Sequence, residues 1–399
     1  MATTGVTVVL QDTVTGNQSV NNGVAMLVLP MSSAAALTSA PELVTSVEEA
    51  SALDDYAKLD ANAKFQISEF FSKAGSGAKL WILGYNAAET TSLSALDLNA
   101  VKQAVRLTTS KLWNNRPRLI GFVYPIGVTV PEEAGLSEDL TKSQGAIQNI
   151  QTFIQDMFSE SFRMVAILDA GRIGEDITEL PDGSTYKAYG IGLAITSPDP
   201  TKTADVGRAL GIISKLNPGQ SIGEMLQGNV SPQDYFVNGT TTSSATNVAT
   251  VSKATIDDIG AKQYLFTRTR PGNTGVYYND GATLNASTNA LSSIEAIRVA
   301  NGVCDDAEYY FQQLINSQTP VATNGDIEPG YKAGLEATFR SNYIVPRLSR
   351  GDASEIEVSI AAKDGNFVAS RAIAVTVKIL PSPTLREAFI TTFYVSSLE

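Results

Sequence analysis

Gly219-Gln-Ser-Ile-Gly223 has the G-x-S-x-G spacing of a hydrolase nucleophile elbow. An elbow needs a strand before its serine and a base beside it. Ser221 instead follows a helical pattern and Asn217-Pro218, and the chain contains no histidine, so a Ser-His-Asp triad cannot be assembled within it. The same absence removes the usual acid/base group at neutral pH and the commonest metal ligand, and the single Cys304 cannot build a thiolate zinc site. Carboxylates alone would have to hold a metal. The doublets Asp54-Asp55, Asp257-Asp258 and Asp305-Asp306 read instead as helix caps or solvated helical turns. Gly75-Ser-Gly77 precedes a strand, Gly190-Ile-Gly192 lies inside one and lacks a third glycine, and no Gly-Lys pair exists to make a P-loop. The expectation is no catalytic, cofactor or metal site. The alternative is a His-free enzyme of doubly wound type, using Ser221 with a lysine base or a carboxylate-held magnesium.

The elements that would position such groups form an α/β pattern from Val24 to about Leu216. Candidate strands are Val24–Leu29, Lys79–Leu83, Leu119–Tyr124, Met164–Leu168 and Gly190–Thr196. Tyr56, Leu59, Ala63, Ile67 and Phe70 share one helical face, and Gly75-Ser-Gly77 ends that helix. Val101 and Val105 mark a second helix, Ile147 to Met157 a third, and Val206, Leu210 and Ile213 a fourth. Residues 218–262 are rich in Gly, Pro, Ser and Thr and read as an exposed loop or a small β insertion. Beyond them, Tyr264–Thr267 and Gly275–Tyr278 read as strands, about 287–316 as one long helix, and Tyr331–Arg340 as a shorter one.

With 399 residues, 43% of them hydrophobic, the chain can bury large cores. Its 29 basic and 41 acidic residues are well mixed, for a net charge of −12, which argues against a nucleic-acid partner. A lone cysteine fits a reducing compartment, and no apolar run approaches the roughly 20 residues of a membrane span. No membrane insertion is expected.

Both ends of the chain are edge-forming. Glu355–Ile360 and Ala372–Ile379 alternate apolar with polar around a turn at Asp364-Gly-Asn366, which predicts a hairpin. Further extended runs, Val6–Val14 with Val6, Val8 and Leu10, and Phe389–Val395 with Phe389, Ile390, Phe393 and Tyr394, have no evident partner in the chain. The fold class is therefore α/β: a layered core (21–217), a loop-rich insertion (218–262), an α+β segment (263–345), a C-terminal hairpin (346–380) and extended arms (1–20 and 381–399).

Tyr264-Leu-Phe-Thr-Arg-Thr-Arg-Pro-Gly-Asn-Thr-Gly-Val-Tyr-Tyr-Asn-Asp-Gly281, the helix Ser293-Ile-Glu-Ala-Ile-Arg-Val299, and Gly365–Ser370 leading to Ala374–Pro381 and Ile390–Tyr394 resemble the contractile tail sheath proteins of phages and phage-derived injection machines. The resemblance covers 264–300 and 343–399; residues 24–216 match only in their order of elements. It implies a non-enzymatic structural subunit, assembled in the bacterial host cytoplasm into a virion tail or injection particle. Six copies would form a ring around a tail tube, rings would stack helically, and tube, baseplate and tail-terminator proteins would be partners. The arms would add strands to a neighbour's hairpin at Ile356, Val358, Ile360, Ile373, Val375, Val377 and Ile379. At about 3.3 Å per residue, Val6–Val14 reaches about 30 Å. Hinges are expected near Gly16-Asn17 and Pro381-Ser-Pro383. Lys332, Glu336 and Arg340, spaced by four, are the candidate tube-facing stripe, and 218–262 the candidate outward decoration. Another self-assembling shell protein is a further alternative.

Overall fold

The computed structural model describes residues 23–34, 36–90, 92–109, 115–125, 136–171, 173, 177–227, 229–232, 234–237 and 246–382. Val6, Val8, Leu10, Phe389, Ile390, Phe393 and Tyr394 lie outside them, as do the rest of the N-terminal arm with its Gly16-Asn17 hinge and the C-terminal arm from Pro383 on.

Ala25-Met-Leu-Val-Leu-Pro-Met31 is buried throughout, as a strand covered on both faces must be, and becomes β1 at the centre of the main sheet. The sheet adds β2 (Glu42–Val44), β3 (Leu80–Asn86), β4 (Leu119–Phe122), β5 (Val165–Asp169) and β6 (Ile191–Ala194) in the order β2-β3-β1-β4-β5-β6. Only β2, at the edge, is antiparallel. A short helix α1 (Val47–Ser51) links β2 to α2 (Ala61–Ala74). The latter begins at Ala61 rather than Tyr56, because the Asp60 carboxylate caps it by accepting the Ala63 N–H at 2.6 Å. Gly75 ends it at φ 82°, as its sequence position predicts. Helices α3 (Leu98–Thr109), α4 (Glu138–Thr141), α5 (Ala146–Ser159) and α6 (Val206–Lys215) complete the layer.

Alternation along β4 separates the two faces. A Cβ on Gly121 would strike Leu210 and Val206 of α6, whereas Phe122 stacks edge-on against Phe153 of α5 at 5.9 Å. On the α6 side, Gly207 lets the helix approach α2 so closely that an added Cβ would lie 2.0 Å from the Gln66 carbonyl oxygen.

Just before α6 the chain makes β7 (Thr196–Ser197), which β8 (Phe236–Val237) and β9 (Thr246–Asn247), both beyond α6, join in a small sheet. Within the stretch read as loop, Ser252 caps a helix, α7 (Lys253–Ala261), by accepting the Thr255 N–H. The strand read at Tyr264–Thr267 begins instead at Thr267: β10 (Thr267–Thr269) pairs with β11 (Val276–Tyr278), and Leu265 bridges Ala194. The long helix α8 runs only from Ile294 to Gln312, since Ser293 caps it and Asn285 and Asn289 bend the residues before it into turns. Helix α9 (Pro329–Phe339) widens into a π turn at Arg340–Ile344, where the Val345 N–H bonds Arg340 O, and continues as α10 (Val345–Ser349). Pro346 therefore does not break it, because its missing N–H falls in a first turn where none is required.

Strands β12 (Ala353–Ala362) and β13 (Ile373–Pro381) form the expected hairpin. Its connection is longer than a tight turn: Lys363–Gly365 makes a 3-10 turn, then comes a one-turn helix, α11 (Phe367–Ser370).

Candidate assembly interface

The hairpin brings seven predicted assembly residues together. Ile356 lies opposite Ile379, Val358 opposite Val377, Ile360 opposite Val375 and Ala362 opposite Ile373, so the apolar side chains share one face. An isolated two-stranded ribbon is marginal in water, and this one is held by what it sits on. Val299 and Val303 of α8, Phe339 of α9, Ile344, Ala353 and Ile356 form a second, smaller core, joined by Tyr310, Phe311, Tyr343, Val358, Val377 and Ile379. The Phe339 ring lies 5.6 Å from Tyr310 and 5.4 Å from Tyr343, spacings at which aromatic pairs attract. On β12 the residues Ile356, Ile360 and Ala362 are buried, whereas Ile373, Val375, Val377 and Ile379 on β13 stay half-buried. The apolar face thus runs out toward the β13 edge only partly covered.

Among the described residues the hairpin is a sheet of two strands, so each strand has an outer edge with no strand beside it. Lys332, Glu336 and Arg340 do fall along α9 and the turn that follows, but two of them turn toward the hairpin. Glu336 Oε1 accepts the Ile360 N–H at 2.8 Å, and Arg340 Nη1 donates to Ile356 O at 3.4 Å.

A joint of buried charge couples this small core to the α/β body, and sequence reasoning missed it. Asp305, read as a cap or solvated turn, is 5% exposed. It accepts Arg116 at 2.7 Å and Arg163 at 2.8 Å, together with Arg118. Glu308 takes Arg163 at 2.6 Å and the Ser161 hydroxyl. Burial pushes the Arg118 guanidinium down to about 10 against the attraction of Asp305, which leaves it charged at neutral pH. Asp306 pairs with Arg347 at 2.6 Å, and burial raises its carboxyl above the usual range. Arg298, lowered to about 10 by burial, donates to Leu216 O at 2.8 Å and Asn217 O at 3.3 Å. The signal was present in the sequence: two carboxylates between Val303 and Ala307 on an otherwise apolar helical stripe, and an arginine just ahead of the apolar run at Leu119. Asp257 and Asp258 are solvated helical residues as expected, paired with Lys253 at 2.6 Å and Lys262 at 2.8 Å.

Ser221 lies in the turn after α6 with no strand before it; its Oγ accepts the Gly223 N–H at 3.3 Å, and Gly219 abuts the Asp352 backbone. At the carboxyl ends of the parallel strands, where doubly wound folds bind ligands, the chain spends its own polar groups. Tyr85 donates to Val123 O at 2.7 Å, and Asn62 to Tyr124 O at 2.8 Å. Asp169 accepts the N–H groups of Tyr124, Gly171 and Ala204 at 2.8–3.1 Å. Among the described residues no group of acidic residues or cysteine could hold a metal ion, and no helix is long and apolar enough to cross a membrane.

No family model and no curated protein matches the chain. Among solved structures it is similar to the contracted helical sheath of the anti-feeding prophage, with a TM-score of 0.60, 10% identity, and all of both chains covered. A chain of the same particle's sixfold-symmetrised baseplate gives a TM-score of 0.56 at 10% identity, again over all of both chains. The contracted PVC sheath complex of an extracellular contractile injection system gives 0.53 at 11% identity, over 100% of this chain and 99% of that one. The resemblance read from the sequence is borne out in the fold.

Proposed function

We propose that this chain is a structural subunit of a contractile sheath, without catalytic activity of its own. It polymerises as stacked rings around a tail tube and contracts to drive the tube through an envelope. The observation that carries the reading is a hairpin whose two outer edges have no strand beside them among the described residues, set in a fold similar to that of solved sheath chains. A free strand edge is a template: an added strand gains main-chain hydrogen bonds while alternate side chains fill pockets. The donors are the arms, Val6–Val14 and Phe389–Val395, from other copies in hexameric rings. Ordering them costs roughly 1 to 2 kcal/mol per residue, which pairing and burial must offset. Tube, baseplate and terminator proteins are the other partners, and the particle assembles in a bacterial host cytoplasm. The outer side of α9, with Lys332, is the proposed tube-facing surface, and residues 218–262 the proposed decoration.

Negative-stain electron microscopy of concentrated protein should show tubes or ring stacks; a strict monomer with intact ends would overturn the proposal. Removing residues 385–399 should leave a folded, soluble monomer, and continued tube formation would refute the role of that arm.

A further inference from the structure

The two edges of the hairpin are not equivalent. In an antiparallel pair, residues that exchange hydrogen bonds with the partner strand alternate with residues whose N–H and C=O point away from it. Ile360 is of the second kind, because its N–H donates to Glu336 Oε1 at 2.8 Å. The register then places Ile356, Val358, Ile360 and Ala362 on the outer edge of β12, and Ile373, Val375, Val377 and Ile379 on the outer edge of β13. Arg340 Nη1 reaches Ile356 O at 3.4 Å on the β12 edge. On the β13 edge, none of the described residues of this chain bonds to the outward groups of those four positions.

The β12 contacts imitate a strand. The Glu336 carboxylate stands where an incoming carbonyl would meet the Ile360 N–H, and the Arg340 guanidinium stands where an incoming N–H would meet Ile356 O. The imitation is incomplete. Four residues advance about 6 Å along a helix but about 13 Å along a strand, so the two side chains must splay, and Val358 between their targets is left without such a contact. Arg340 is exposed and Glu336 half-buried, and each is held by a single bond to the backbone of β12.

We infer that Glu336 and Arg340 form a removable cap on the β12 edge, which sets the order in which the hairpin is filled. The first strand from a second copy of this chain docks on the open β13 edge, beside the half-buried Ile373, Val375, Val377 and Ile379; a second docks on β12 only after the two side chains leave. The inference rests on the strand-exchange reading above. It gives the unassembled subunit one open edge instead of two, which limits edge-to-edge association before a ring forms.

Amide hydrogen exchange on the full chain, unassembled, tests the cap directly. The Ile360 amide should exchange at least tenfold more slowly than that of Val358, and in Glu336→Ala the two should become alike. The double variant Glu336→Ala/Arg340→Ala should assemble with a lag several-fold shorter by light scattering, with circular dichroism confirming an unchanged fold. An Ile360 amide no slower than Val358 in the unmodified chain, or a double variant assembling at the unmodified rate, would overturn the cap. Val377→Pro separates this failure from that of the parent reading. It deletes an outward N–H on β13 and should block assembly whether or not the cap is present, so a Val377→Pro chain that assembles normally means that no strand docks on the β13 edge.

Discussion

Replacing Asp305 by Asn removes the charge on which three buried guanidiniums converge while preserving shape. Asp305 is 3% exposed at its side chain, Arg116 2%, Arg118 7% and Arg163 12%, so solvent cannot stand in for the lost carboxylate. Glu308 alone would remain, bonded to Arg163 at 2.6 Å. Breaking a buried pair by removing one partner costs about 3–5 kcal/mol, because the remaining charge stays buried without compensation. The asparagine oxygen can still accept one of the three bonds, which favours the lower half of that range. An unfolding entropy near 2.1 cal/mol/K per residue gives about 0.8 kcal/mol/K for a chain of this length, so the midpoint should drop by about 4–5 °C. Urea denaturation followed by circular dichroism measures the change. Adding Arg118→Met should recover part of the loss, since it deletes a stranded cation and fills the space with apolar atoms. An Asp305→Asn chain within about 0.5 kcal/mol of the unmodified protein would refute the claim that this cluster joins the body to the hairpin core, as would an Arg118→Met addition that deepens the loss.

The Glu69–Arg208–Asp205 cluster sets two carboxylates against one guanidinium, with Arg208 Nε 3.3 Å from Asp205. Burial, reinforced by Glu69 and opposed by Arg208, pushes the Asp205 carboxyl up to about 7 from 3.8. The native state therefore holds a proton that the unfolded chain releases, so this contribution to stability is complete below about pH 4 and lost as pH rises through about 7. The melting temperature of Asp205→Asn, which keeps the acceptor for the Arg208 N–H, should fall less between pH 5 and 8 than that of the unmodified chain; parallel curves would contradict the assignment. Phe339→Ala should cost about 3–5 kcal/mol by emptying the centre of the small core. Amide exchange should then quicken in β12 and β13 but not in β1, and uniform quickening would mean the two cores unfold as one.

Most of the α/β body was legible because each strand is a short apolar run and each helix an apolar stripe of period near 3.6, patterns that local sequence carries by itself. The errors sit where side-chain hydrogen bonds decide the outcome. Asp60 starts α2 after Tyr56 and Leu59 have already passed, and Ser293 starts α8 seven residues later than the amphipathic stripe alone suggests. The shorter helix was read to end at Arg340, and only the π turn there shows how it continues past Pro346 to Ser349. The apolar face of the hairpin was readable from alternation. The roles of Glu336 and Arg340 were not, because a spacing of four puts residues on one side of a helix without saying what that side meets.

The charged joint and the open edges together make a consistent subunit under the sheath proposal. A body that moves during contraction must carry its hairpin with it, so the connection between them has to be stiff, and buried ion pairs around Asp305 and Asp306 resist sliding because any displacement strands a charge in a dry environment. The hairpin has the opposite requirement. It must exchange partners through main-chain hydrogen bonds, which are indifferent to side-chain identity and so tolerate a neighbour at changing angles. Apolar packing beneath the ribbon holds it to its own chain, while the half-buried row Ile373, Val375, Val377 and Ile379 is left for a neighbour to cover. Sequence that looked unpaired at the end of the chain is, on this argument, half of a sheet whose other half belongs to the assembly.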